Sequence, residues 1–160
     1  KVTLDPDTAN PELVISADGR TLRWSETSQN LPETPQRFTM WSCALAREGF
    51  ESGRHCWEVL VEGMVGAKSG WAVGVAMENI KKESPIDFIP ENGVWGLGYN
   101  IGQLMALTFS RTPLALPALP RRVWVCLDYE QGLVTFLSGD TGHEIFTFPP
   151  ASFNGRRLRP

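Results

Sequence analysis

Apolar residues in this chain come in short runs separated by Gly, Pro, Asn and Asp, the rhythm of β-strands joined by turns. Arg54 to Glu62 alternates, with Trp57, Val59 and Val61 on one face and Glu58, Leu60 and Glu62 on the other, as a half-buried strand does. Trp71 to Ala76 and Val94 to Ile101 are asymmetric in another way. Their large side chains share one face, and Ala72, Gly74, Ala76, Gly96, Gly98 and Asn100 take the other. Val123 to Leu127 and Leu133 to Leu137 are apolar on both faces and flank Asp128 to Gly132, residues that turn a chain back on itself, so they predict a central antiparallel hairpin. Further strands are expected at Leu13 to Ser16, Thr21 to Trp24, Phe38 to Leu45, Leu104 to Phe109 and Glu144 to Phe148.

Between them lie turn signals. Asp5 to Pro11 reads as a turn or one short helical turn, Ala17 to Arg20 as a tight turn, and Gly63 to Gly70 as a Gly-rich turn. Ser25 to Arg37 and Asn79 to Asn92 are long loops, and Ser110 to Arg122 is a Pro-spaced connection. There is no long amphipathic helix and no repeat. The pattern predicts an all-β fold, a sandwich of two antiparallel sheets, without the Cys and Trp spacing of an immunoglobulin domain.

Composition narrows the function more than the fold. At 160 residues the chain can bury roughly 70% of its unfolded surface in one core, so a single unit over 1–160 is expected. A hydrophobic content of 42% is too high for disorder. The net charge of −3 argues against a nucleic-acid partner, which requires clustered Lys and Arg. No apolar run reaches the ~20 residues of a membrane span, so no direct membrane contact is expected. Cys43, Cys56 and Cys126 are odd in number and lack metal-ligand spacing. They read as small buried hydrophobes in a reducing, cytoplasmic setting, although the cytosolic tail of a membrane protein would look the same.

The strongest candidate for chemistry is a binding surface. If the bulky faces of Trp71–Ala76 and Val94–Ile101 enter the core, the opposite side is a floor of tiny side chains that another backbone can approach closely. The alternative is that these glycines relieve crowding under a covering loop. Rim contacts are expected from Gln29, Asn30 and Glu33 on one loop, and on the other from Phe88 and Ile86 as apolar anchors beside Lys81, Lys82 and Asp87.

Catalytic signals are weak. Gly96, Gly98 and Gly102 lack the spacing and the following helix of a dinucleotide loop, and Gly66 to Gly70 lacks the full phosphate-loop pattern. His55 and His143 are too few for a three-His metal site, and no cofactor is expected. His55 reads as a hydrogen-bonding residue at a strand entry, and Asp128 and Glu130 as turn caps. Arg121–Arg122 and Arg156, Arg157 and Arg159 are solvated charge or, alternatively, a phosphate pocket.

Three stretches carry a family resemblance: Leu4 to Pro11, Gly53 to Val59, and Leu127 to Glu130 followed by Gly132. Together they resemble the signature stretches of PRY-SPRY (B30.2) domains, found in tripartite-motif ubiquitin ligases, butyrophilins and pyrin. The resemblance covers nearly the whole chain, with a PRY-like part at about 1–50 and a SPRY-like part at about 51–160. It implies a bent, concanavalin-type sandwich that binds a partner protein or peptide and is not itself an enzyme. The substrate-recognition domain of a tripartite-motif ligase is the leading expectation. A butyrophilin-type domain sensing a small phosphorylated ligand is the alternative, and a lectin-like sandwich acting on sugars the third.

The resemblance also implies that Ala72, Gly98 and Asn100 lie in the ligand groove. Cys56 departs from it, standing where Tyr is usual. Relatives usually continue beyond the stretch resembling Leu158 to Pro160, so the final C-terminal strands are expected to be missing.

Overall fold

A computed structural model describes residues 1–61 and 70–160. Its strands, in chain order, are β1 (Leu13–Ile15), β2 (Leu22–Trp24), β3 (Arg54–Leu60), β4 (Trp71–Met77), β5 (Val94–Asn100), β6 (Gln103–Ala106), β7 (Thr112–Leu114), β8 (Arg122–Asp128), β9 (Leu133–Ser138), β10 (Glu144–Thr147) and β11 (Leu158–Arg159). A four-stranded sheet runs β10-β9-β8-β3, a five-stranded sheet runs β11-β4-β5-β6-β7, and β1-β2 is a separate hairpin. All pairings are antiparallel.

The two larger sheets share one core. Trp57, Val123, Val125, Leu127, Val134 and Phe136 face Val75, Trp95, Leu97, Tyr99, Leu104 and Ala106 in a single buried cluster. Each such side chain taken out of water contributes roughly 1.5–3 kcal/mol, which makes this layer the main stabilising element. The hairpin β8–β9 occupies inner positions of its sheet. Its outer face is only partly covered, however, and Trp124 remains 36% exposed.

A second, smaller cluster holds the N-terminal part against the outer face of the five-stranded sheet. Phe38 and Leu45 cover Ala76, Ile80 and Val94, with Cys43, Met77, Ile86 and Phe88 packed around them. Buried Arg37 fastens this segment by donating to the carbonyls of Pro32 (3.0 Å), Pro6 (3.0 Å) and Ala9 (2.8 Å). Thr8 adds a bridge, its hydroxyl donating to Asp5 O at 2.8 Å and accepting from the Leu45 N–H at 2.9 Å.

Several expectations need correction. Phe38 to Leu45 is not a strand: Phe38 and Leu45 are anchored while Met40, Trp41 and Ser42 between them are exposed, so the segment bends instead of pairing. The Pro-spaced connection contains β7, which tolerates Pro113 because it is an edge strand with a free side. Asp5 to Pro11, by contrast, makes the expected short turn, with successive bonds from Thr8 N–H to Asp5 O (3.1 Å) and from Ala9 N–H to Pro6 O (3.3 Å). Among the described residues the one helical element is a 3-10 turn at Pro90–Asn92. The expected turn at Gly63 to Gly70 lies, apart from Gly70, outside the described residues.

The cysteines depart furthest from expectation. Cys56 and Cys126 are cross-strand partners in the β3–β8 ladder and are joined as a disulfide. They sit on the outer face, Cys56 exposed and Cys126 half-buried, because strand alternation assigns the inner positions to Trp57, Val125 and Leu127. Only Cys43 is a free, sheltered thiol. Burial there pushes its pKa up to about 11.

Candidate binding groove

Strand alternation places Ala72, Gly74 and Ala76 of β4 and Val94, Gly96, Gly98 and Asn100 of β5 on the outer face of the five-stranded sheet, with Ala72 opposite Gly98 and Gly74 opposite Gly96. The N-terminal segment covers the Ala76 and Val94 end of this face. Ala72 and Asn100, at the other end, remain exposed. Where the cover stops, an open concavity of about 260 Å³ is lined by Trp41, Trp71, Ala72, Ile86, Asp87, Phe88, Gly98, Tyr99, Asn100, Met105, Leu107 and Arg111.

The floor is not bare. Leu107 lies across the glycines, with its methyl groups 3.0 Å from where a Cβ on Gly96 or Gly98 would be. Both expectations about these glycines therefore hold in part: Gly96 and Gly98 are buried beneath Leu107, and Ala72 and Asn100 open onto the groove. Trp71 and Tyr99 belong to the opposite face, and their rings stack at 6.0 Å against the core.

The walls come from loops. The Trp41 and Phe88 rings meet at 5.7 Å and form one side. Phe88 is half-buried, so it both completes the second core cluster and borders the groove, whereas the neighbouring Ile89 is buried. Arg111 holds this side in place by donating to Phe88 O at 2.9 Å across the groove end. It does so from a left-handed backbone conformation (φ 57°), uncommon for a residue with a side chain. The polar groups on this largely apolar surface are Asp87, Asn100 and Arg111.

Five of the expected site residues, Ala72, Gly98, Asn100, Asp87 and Phe88, therefore come together. Lys81 lies in a neighbouring shallow concavity with Met77, Asn92 and Arg156, which shares Ile86 with the groove. Gln29, Asn30 and Glu33 are exposed but do not line the groove. The Gln29 side chain instead donates to Leu13 O at 2.9 Å, tying its loop to β1. Lys82 is no rim contact, since it is buried with its ammonium donating to Glu78 O (3.1 Å) and Ile80 O (3.4 Å). Burial, and secondarily the Arg159 charge, lower its pKa.

Trp41, Met105, Leu107 and Arg111 were not expected in the site. Trp41 was hidden by the strand reading of its segment, and nothing local in the sequence singles out Arg111.

The remaining polar clusters have structural partners. His55 makes a 2.8 Å hydrogen bond with Ser52 O and stacks on Phe50 at 3.8 Å. The Gln131 N–H donates to Asp128, and the Gly53 N–H to Glu130. Arg121 and Arg122 pair with Asp140, whose carboxyl is held below its ordinary value chiefly by the Arg121 backbone N–H. Arg157 and Arg159 pair with Glu78, and Arg159 also with Asp5. Arg122 lies on β8 of the four-stranded sheet and Arg159 on β11 of the five-stranded one. Among the described residues no group of three or more His, Cys, Asp or Glu could hold a metal, and no helix is long and apolar enough to cross a membrane.

The described residues thus form a two-sheet sandwich with an open, loop-walled groove on the outer face of one sheet. Residues 2–50 match the SPRY-associated domain, PRY, and residues 54–160 match the SPRY domain, so the chain belongs to the PRY-SPRY family. It is similar to butyrophilin subfamily 1 member A1 of Bos taurus, 47% identical over 159 residues, covering 99% of this chain and 29% of that protein. It is also similar to E3 ubiquitin-protein ligase TRIM11 of Bos taurus, 42% identical over 154 residues, covering 96% of this chain and 32% of that protein. This chain thus spans about a third or less of these curated relatives.

Among solved structures, the TRIM65 PSpry domain superposes with a TM-score of 0.77 at 24% identity, covering 99% of this chain and 81% of that one, a likeness of fold alone. PRY-SPRY domains are protein-interaction modules without catalytic activity of their own.

Proposed function

We propose that the chain recognises a protein or peptide partner by seating one or two side chains in the groove between Trp41–Phe88 and the Ala72–Asn100 floor. The observation that carries this reading is the concavity itself, left open where the N-terminal cover of the sheet ends. Its volume of about 260 Å³ lies below the ~300–1,000 Å³ typical of small-molecule sites, and suits an inserted side chain better than a whole ligand. Phe88 and Trp41 serve as apolar anchors, and Asp87, Asn100 and Arg111 as orienting polar groups. The setting is cytoplasmic. The chain is the substrate-recognition domain of a tripartite-motif ubiquitin ligase, and the ubiquitin transfer is done by a separate part of that parent protein.

A butyrophilin parent is the second reading, supported by the 45–47% identity to butyrophilin subfamily 1 member A1 from three mammals. Its phosphate-sensing version is disfavoured by the carboxylates that already engage Arg122, Arg157 and Arg159. Calorimetric titration with pyrophosphate is expected to show no heat at millimolar ligand.

The direct test is selection of binding peptides from a displayed library, followed by comparison with an Ala72→Trp variant. Ala72 is exposed on the floor, so the larger side chain fills the groove without entering the core. Selected peptides should lose at least about tenfold in affinity, roughly 1.4 kcal/mol. Equal binding to wild type and to the filled groove refutes the reading.

A further inference from the structure

The outer face of the four-stranded sheet carries chemistry that the groove does not use. Cys56 of β3 and Cys126 of β8 stand directly opposite one another, with Cα atoms 4.2 Å apart. That is the close spacing of a non-hydrogen-bonded cross-strand pair, which brings two side chains together on one face. The partners are 70 residues apart in sequence, so only the folded ladder brings them together. Their neighbours on this face are polar or exposed: Glu58 and Arg54 on β3, Trp124 and Asp128 on β8, and Thr135 beside Cys126 on β9. Arg54 and Asp128, two residues along the ladder on the same face, form a 3.1 Å ion pair. Cys56 is exposed, so a small thiolate can reach its sulfur without the sheet opening.

We infer that Cys56 and Cys126 form a reversible surface dithiol–disulfide site that exchanges with low-molecular-weight thiols and disulfides of the glutathione class. In the reducing direction a thiolate attacks the exposed Cys56 sulfur, a mixed disulfide forms there, and Cys126 leaves as a thiolate that takes up a proton. A second thiolate then attacks the sulfur of the small molecule in the mixed disulfide. This releases the small-molecule disulfide and leaves Cys56 as a thiol. Two small thiols are oxidised and the protein disulfide is reduced by two electrons; the reverse sequence closes the bond. Closure fastens β3, an edge strand of its sheet, to β8. Cys43 stands apart from this chemistry, partly buried in the second core cluster.

The test is to equilibrate the chain in glutathione buffers from fully reduced to fully oxidised, quench with acid, alkylate, and count free thiols by intact mass. The expected result is loss of two alkylatable thiols together in one transition, governed by the square of the reduced glutathione concentration divided by the first power of the oxidised glutathione concentration. Peptide mapping should assign both to Cys56 and Cys126, with circular dichroism unchanged across the series. In Cys56→Ser and Cys126→Ser the two-thiol loss should vanish, leaving at most one glutathione on the remaining cysteine. Because the exposed position tolerates a hydroxyl, Cys56→Ser should fold normally. Three free thiols at every ratio, a disulfide that resists reduction until the chain unfolds, or participation of Cys43 would each overturn the inference.

Discussion

Gly74 and Gly98 look alike in the sequence, as small residues on the outer face of adjacent strands, and the structure predicts opposite responses to the same substitution. A Cβ on Gly74 would run into the carbonyl oxygen of Trp95 and come within 2.8 Å of Gly96 Cα. Both are backbone atoms of the paired strand and cannot rotate away, so Gly74→Ala must pry β4 from β5 in the middle of the sheet. Overpacking of this kind costs about 3 kcal/mol or more. A Cβ on Gly98 would instead meet the end of the Leu107 side chain at 3.0 Å, a contact relieved by a shift of a few tenths of an ångström. That cost is offset by the roughly 0.5–1 kcal/mol by which Ala is preferred to Gly within a strand.

Thermal unfolding followed by circular dichroism separates the two variants. At about 2–4 °C per kcal/mol for a chain of this size, Gly74→Ala should lose about 10 °C and Gly98→Ala less than about 4 °C. Equal losses, or an unchanged midpoint for Gly74→Ala, would refute the reasoning that Gly74 faces rigid backbone while Gly98 faces only the yielding Leu107 side chain.

Phe88→Ala should cost about 1–2 kcal/mol, below the ~3–5 of a fully buried Phe, and weaken peptide binding more than Ile89→Ala does; denaturant titration with parallel affinity measurement decides it. Arg37→Lys should destabilise by about 3 kcal/mol, because the N–H donors of an ammonium radiate from one atom and cannot stand at both the Nε and Nη1 positions from which the guanidinium reaches three carbonyls, and chemical denaturation reads the loss. Burial alone would raise the Glu48 carboxyl, but the Thr3 backbone N–H and hydroxyl, at 2.7 and 2.8 Å, outweigh it and hold the pKa below the ordinary 4.5. The stability this adds is present above 4.5 and is lost as pH falls through the lower folded-state value, so the gap between wild type and Glu48→Gln in urea titrations should close on acidification.

The local pattern of the chain was sufficient for most of the fold. Alternation in Arg54–Leu60, the doubly apolar β8–β9 hairpin and the large-against-small faces of β4 and β5 each specify a strand and a facing, because side chains alternate across a pleat whatever the neighbours are. The floor of the groove was legible for the same reason: Ala72, Gly98 and Asn100 share a parity that the core cannot use. What alternation could not reveal was which surfaces would meet. Trp41 and Arg111 border the groove only because a bent N-terminal segment and the β6–β7 turn converge on Phe88 across the sheet. Leu107 covers two of the floor glycines because the chain leaves β6 over them. The pairing of Cys56 with Cys126 depends on the register of two strands far apart in sequence. Such contacts between distant segments are set by how separate faces are buried together, and no short window of sequence contains both partners.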